Sequence, residues 1–326
     1  MKDGKGALKV VGIIALILII IIAIIGIYVW IKLSKINVEK LDKDSLAVNS
    51  NLFDDLNKNL DNNITKSEFD KVVNIVLFGS DSRDINNSDG RSDTIMICSI
   101  NPNTKKINLV SIPRDTYVNV EGYGKTKINH AYAYGKEALS IKTINSNFNM
   151  NLTEYVTINF EGLKNVIDRV GGITLNLSSD EVAYVNRSSS KKLSGSGNML
   201  LNGEQALAHS RNRTIGNDFT RANRQRNVIQ ALITKISSLS MNEILALSDE
   251  MLSQVKTNIN VTSYVGLLSE VLKEKDIYLK NITSSQVPNE EYAYGQMIDG
   301  IYYFVSDMEK SRTDLYNIIY GKWKNI

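Results

Sequence analysis

Apolar and polar positions divide the chain into three stretches. Residues 10–31 carry no charge and are mostly Ile, Leu, Val and Ala, with Tyr28 and Trp30 near the far end. A helix of these 22 residues rises far enough to cross a hydrocarbon core of roughly 30 Å. The two aromatic residues suit the interfacial belt, and Lys32 and Lys35 stand just outside it. The run exceeds the apolar part of a signal peptide and no small-x-small site follows it, so the pattern predicts an uncleaved anchor. Residues 1–9 would then face the cytoplasm and the rest of the chain the outside. Residues 32–70 are rich in Asn, Asp and Lys and short of large apolar groups, which reads as a polar stalk. Fully extended, it would reach about 130 Å at most.

From residue 71 the pattern turns to strands. Residues 72–78, 94–100 and 107–112 are apolar runs, the last two joined by the turn composition Asn101-Pro102-Asn103-Thr104. Consecutive apolar residues in the first two predict strands buried on both faces. Residues 131–148 read as a helix, 155–160 as a strand, 163–170 as a helix, and 173–177 as a strand after Gly171-Gly172. Such alternation predicts an α/β fold, and residues 71–326 show no change of composition that would divide them into two domains. Residues 188–198, rich in Ser, Gly and Lys, read as a mobile loop. Asn202 with Gln205 three positions later predicts an N-cap, and a longer helix from about Thr220 carries an apolar stripe of Val228, Ile229, Leu232, Ile233 and Ile236. A further strand is expected at 300–305.

Composition narrows the chemistry. A single Cys98 with only His130 and His209 excludes a disulfide scaffold and a zinc ribbon, and 43% hydrophobic residues with a net charge of +3 exclude a disordered chain. Removing residues 1–9, with three Lys and one Asp, leaves +1 for the remainder, which argues against a diffuse nucleic-acid surface. The charges are instead segregated. Arg211, Arg213, Arg221, Arg224 and Arg226 fall within sixteen residues, with Asp218 the only acid among them. On a helix from Thr220, Arg221, Arg224 and Gln225 share a face, while Arg226 is rotated about 140° from Arg221. The cluster is either a solvated basic face or an anion site where a loop enters a helix.

A second constellation is acidic. Asp81 ends the first strand and Asp93 begins the second; on neighbouring strands the two carboxylates would converge and could hold Mg²⁺ with substrate phosphates completing its shell. The alternative is that each Asp only closes a turn. Ser111-Ile112-Pro113-Arg114-Asp115 places Arg114 at a third strand end, which together would form a crevice. Gly124-Lys125-Thr126 imitates a P-loop tail, but Asn119 stands where its first Gly is needed.

Several blocks together resemble the LytR-CpsA-Psr family of membrane-anchored cell-wall glycopolymer transferases. They are Asn-Ile-Val-Leu-Phe-Gly-Ser-Asp-Ser-Arg at 74–83, Gly-Arg-Ser-Asp-Thr at 90–94, Ser-Ile-Pro-Arg-Asp-Thr at 111–116, Lys-Ile-Asn-His-Ala-Tyr at 127–132, and the Arg-x-Arg and Asp-Phe-x-Arg-x-x-Arg-Gln set at 211–225. The resemblance runs from about residue 74 to 320. It implies a three-layer α/β/α sandwich with a central mixed sheet, binding an undecaprenyl-pyrophosphate-linked glycopolymer with its lipid in an apolar pocket. Carried over by motif, Asp81 and Asp93 would hold Mg²⁺, with Mn²⁺ as the alternative. Arg83, Arg91, Arg114, Arg211, Arg213 and Arg221 would surround the pyrophosphate, assisted by Gln225 and Lys127. A peptidoglycan hydroxyl, on the muramic-acid C6, would attack the sugar-side phosphorus, with Asp93 and Asp218 as the candidate bases. His209 departs from the pattern, where a Tyr is usual. Rival classes are a binding protein without catalysis, a lipid pyrophosphatase and a regulator of transcription.

Overall fold

The computed structural model describes residues 41–57, 65–82, 90–212, 214–216, 218–240, 243, 246–247 and 254–321. The expected anchor at 10–31 lies outside them, and among the described residues no helix is long and apolar enough to cross a membrane.

A six-stranded mixed sheet organises the fold. Strands β1 (Val73–Ser80), β2 (Ser92–Asn101) and β3 (Lys106–Ile112) form an antiparallel meander. Strand β6 (Glu154–Asn159) runs parallel to β1, and β9 (Val255–Thr257) closes that side antiparallel to β6. On the other side β10 (Ile282–Gln286) lies parallel to β3, giving the order β10-β3-β2-β1-β6-β9. The C-terminal third thus supplies both edge strands of the sheet that the first third begins.

The mostly consecutive apolar residues of β1 and β2 have the expected cause, since helices cover both faces of the sheet. Val76, Phe78, Ile95, Ile97, Val110 and Ile112 point into one core, shared with α3 (Ile128–Phe148) and the C-terminal α10 (Met308–Tyr320). Met96, Ile107 and Leu109 point to the opposite face, where Ile229 and Ile233 of α7 (Asp218–Ser238) and Tyr278 of the short α9 (Lys275–Lys280) pack. Helices α4 (Phe160–Arg169), α5 (Ser179–Ser188) and α6 (Gly203–Arg211) gather around the hairpin of β7 (Ile173–Leu177) and β8 (Gly197–Leu201) in a second core that packs against Val228 and Leu232 of α7. Helix α6 starts where its sequence indicates. The Asn202 side chain accepts from the Gln205 N–H, and the Gln205 side chain accepts from the Asn202 N–H. Helix α3 is broken at Gly135 and Lys136, and beyond the break Glu137 turns inward to accept from Tyr132, Thr157 and Lys256.

Two sequence expectations are corrected. Part of the segment read as a stalk is core: Leu46, Leu52 and Leu56 are at most 1% exposed and pack with Phe148 and Met150. Three leucines six and four residues apart are too few to change the composition of a polar stretch, yet a short helix, α1 (Leu52–Asn57), sinks two of them into the domain. The loop at 188–198 is tied down. Ser189 Oγ donates to Val185 O, the Leu193 N–H to Asn186 Oδ1 and Gln205 Nε2 to Lys191 O, and its last residues enter β8. Small polar residues that suggest mobility in sequence here supply short side chains that bond to the backbone.

Candidate active site

Strand direction decides what meets. β1, β3, β6 and β10 all end at the edge where β2 begins, so Asp81, Asp93, Arg114, Phe160 and Gln286 share that edge. The register between β1 and β2 slips there: Gly79 faces Thr94 and Ser80 faces Ser92, leaving Asp93 as the extra residue. Such a bulge re-aims its unpaired side chain, and Asp93 lines the cleft beyond. Gly79 permits the approach, because a Cβ there would lie 2.8 Å from Thr94 Cβ.

A chain of ion pairs holds the centre. Arg114 Nη1 donates to Asp93 Oδ1 at 2.7 Å, Arg114 Nε donates to Asp115 Oδ2 at 3.3 Å, and Lys127 Nζ lies 2.6 Å from Asp115 Oδ1. Lys127 therefore stands one step behind Arg114 and acts through Asp115. From the first turns of α7, Arg221 and Gln225 face Asp93 across a cleft of about 580 Å³. They also wall an adjoining recess of about 440 Å³ with Phe160, Tyr184, Glu204 and Arg211. The Arg211 guanidinium sits 4.7 Å from the centre of the Phe160 ring, a cation–π contact that holds it at the rim.

Not every expected residue joins this centre. Asp81 keeps to the same edge, where its Oδ1 accepts from the Arg91 N–H at 2.6 Å, but it walls neither cleft nor recess. Arg91 lies near enough to His130 that, after burial, its charge helps hold the imidazole below the ordinary range. Arg224, expected beside Arg221, is withdrawn: its Nε donates to Glu181 Oε1 at 2.8 Å and its Nη2 to Ile215 O. Arg226 points away as expected, its Nε donating to Ser284 Oγ. Arg83 and Arg213 lie outside the described residues, and Asp218 is described only as the first residue of α7.

Of the two carboxylates expected to hold a metal, Asp93 lines the cleft and is paired with Arg114, and Asp81 stands at the neighbouring strand end, bonded to the Arg91 N–H. No group of three or more His, Cys, Asp or Glu side chains suited to a metal occurs among the described residues. Carboxylate oxygens are the ligand type that Mg²⁺ takes when substrate phosphate oxygens complete its shell.

Below the cleft lies an apolar cavity of about 310 Å³ between the sheet and α7, walled by Leu77, Met96, Val156 and Ile158 from the strands and by Val228, Ile229, Leu232 and Ile236 from the helix. Thr94 and Gln225 belong to both cavity and cleft, so the apolar space opens directly onto the charged centre. The stripe on α7 was legible in sequence, but its spacing alone reads as ordinary packing. Phe160, which caps the cavity and carries Arg211, had no sequence signal beyond its place where β6 passes into α4.

His209 lies behind this wall, 3% exposed. Burial, reinforced by Arg224 and opposed by Glu181, brings its imidazole down to about 4, and its Nδ1 is 4.0 Å from Glu181 Oε1, beyond hydrogen-bond range. The folded protein keeps it neutral, whereas the unfolded chain takes up a proton near pH 6.5. Stability is then complete above about pH 6.5 and falls as the pH drops towards 4. Melting curves between pH 7.5 and 4 should show a declining Tm that is shallower in His209→Gln; equal slopes would refute this origin.

Comparisons with known proteins identify the family. The sequence profile of the LytR_cpsA_psr family matches residues 28–317. A relative from Oceanobacillus iheyensis, described as polyisoprenyl-teichoic acid–peptidoglycan teichoic acid transferase TagU, is 38% identical over 256 residues, 74% of each chain. The structure described as TagT bound to LIIa-WTA aligns with a TM-score of 0.63 at 29% identity, over 76% of this chain and 91% of that one. A LytR-CPS2A-psr family protein, YwtF (TagT), with bound octaprenyl pyrophosphate lipid, aligns with a TM-score of 0.59 at 26% identity, over 76% and 90%. With the profile match over most of its length and a relative 38% identical over 74% of each chain, the chain belongs to the LytR-CpsA-Psr family.

Proposed function

We propose that this protein is a membrane-anchored phosphotransferase that moves an anionic glycopolymer from an undecaprenyl-pyrophosphate carrier to a peptidoglycan hydroxyl, the muramic-acid C6 oxygen. One observation carries the reading: the apolar cavity opens at Thr94 and Gln225 onto a cleft walled by Arg114, Arg221 and Asp93, which suits a greasy chain with a doubly charged head. The relatives support it, since one is described as a teichoic acid transferase and one as holding octaprenyl pyrophosphate.

In this reading the lipid lies along α7 and the pyrophosphate sits between Arg114, Arg211 and Arg221, with Arg83, Arg91 and Arg213 proposed from the family motif as further cations for it. The acceptor oxygen bonds to the sugar-side phosphorus as the bridging P–O bond breaks. Lipid phosphate departs with that electron pair, and the hydroxyl proton passes to a carboxylate, Asp93 or Asp218. Preorganised guanidinium groups stabilise charge spread over the phosphoryl oxygens, which is most of what such a transfer needs. Asp81 and Asp93 would hold Mg²⁺ or Mn²⁺, which neutralises pyrophosphate charge when bound. The segment at 10–31 anchors the chain, and the domain works outside the cell, in the leaflet where its donor lies. Full-length protein incubated with a lipid-pyrophosphate glycan and peptidoglycan oligomers should form a phosphodiester-linked product, lose it with a chelator and regain it with Mg²⁺. Absence of product with intact, folded protein would refute the reading.

A further inference from the structure

The far wall of the cleft is a two-stranded ribbon of β11 (Ala293–Ile298) and β12 (Ile301–Ser306). It is locked to the catalytic segment. The Phe304 N–H donates to Asp115 O at 2.9 Å, and the Tyr303 ring packs 4.6 Å from that of Tyr117. The ribbon therefore stands at a fixed distance from Arg114. Within it the Tyr302 ring lies flat across Gly295, where a Cβ would come 2.6 Å from Tyr302 Cε2 and 2.7 Å from its hydroxyl. The outcome is a tyrosine face, 42% exposed, lining a cleft otherwise built for anions.

The floor beneath it is polar and unsatisfied. Ser111 and Gln286 are directly paired across β3 and β10, and both line the cleft. Ser111 is 3% exposed and its Oγ has no hydrogen-bond partner; Gln286 Oε1 also lacks one, while its Nε2 donates to Pro288 O. Buried polar atoms left in this way are costly unless a ligand completes them. An aromatic face beside orphaned hydroxyl and amide groups matches a sugar ring, whose C–H face packs on tyrosine while its hydroxyls bond at the edge.

The lipid cavity meets the cleft at Thr94 and Gln225, and no ribbon residue walls that cavity. The ribbon thus stands off from the lipid cavity, on the side from which a nucleophile in line with the departing lipid phosphate would approach. We propose that Tyr302, laid on Gly295, together with Ser111 and Gln286, forms the subsite for the acceptor, a pyranose ring of the peptidoglycan strand that carries the attacking hydroxyl. This rests on the transferase reading above.

The test uses full-length protein with saturating lipid-linked glycan and a varied peptidoglycan tetrasaccharide. Tyr302→Ala should raise the acceptor KM roughly tenfold, while Tyr302→Phe, which keeps the ring face, stays near wild type. Tyr302→Leu, apolar but without a face, should behave like the alanine variant. Affinity for octaprenyl pyrophosphate, titrated separately, should be unchanged in all three. A weakened lipid-linked donor with an unchanged acceptor KM would overturn the assignment, and so would no change in either. An inactive wild type would instead bring down the transferase reading, so the two failures are distinguishable.

Discussion

Arg221→Ala should lower transfer by about 10²- to 10³-fold, the usual loss when one preorganised donor to a developing oxyanion is removed. Arg221 is 7% exposed and walls both the cleft and the recess, so its guanidinium sits where the proposed pyrophosphate would lie. Arg221→Lys should recover only part of the activity, because a single ammonium replaces a planar fork. Arg224, one turn further along, is the control. It is 4% exposed and paired with Glu181, whose carboxyl burial would raise but which Arg224 and the Ser178 N–H bring below its usual range. Arg224→Ala should leave that half-buried carboxylate with the Ser178 N–H alone, at a cost of about 2 kcal/mol in stability. Steady-state transfer assays and urea unfolding separate the cases: an Arg221→Ala enzyme that remains active in the folded state would remove Arg221 from the mechanism.

The second large effect concerns folding. Leu46, Leu52 and Leu56 are at most 1% exposed, and replacing any one by alanine should cost about 2–5 kcal/mol. Deleting all three approaches the whole stability of a domain, roughly 5–15 kcal/mol. A chain begun at residue 71 should therefore fail to give a cooperative melt, while one begun at residue 41 melts as a unit. A cooperative transition at similar Tm in the shorter chain would show that the segment is only an appendage.

Much of this could be read from the chain because its signals are local. Consecutive apolar residues marked β1 and β2, and their ends placed Asp81 and Asp93 on one edge. The Asn202 and Gln205 cap lay within four residues, and Gly124-Lys125-Thr126, declined as a phosphate loop, belongs to the short strand β5 (Gly124–Lys127). What escaped depends on partners distant in sequence. Arg224 looks identical to Arg221 in spacing and differs only because Glu181, 43 residues earlier, claims it. Gln286 joins Ser111 because β10 returns to the edge of β3, a pairing no local pattern announces. The single extra residue that aims Asp93 is a property of register between two strands, not of either one.

The docking of the segment at 41–57 also changes the mechanics of the proposed anchor. With Leu41 already packed against the core, only residues 32–41 remain to bridge from the end of the apolar run, a leash of about 35 Å even when taut. Held by the proposed anchor on so short a leash, the domain would not sweep outward through the wall. It would patrol a thin layer against the bilayer, and glycan strands would have to pass through that layer to be modified.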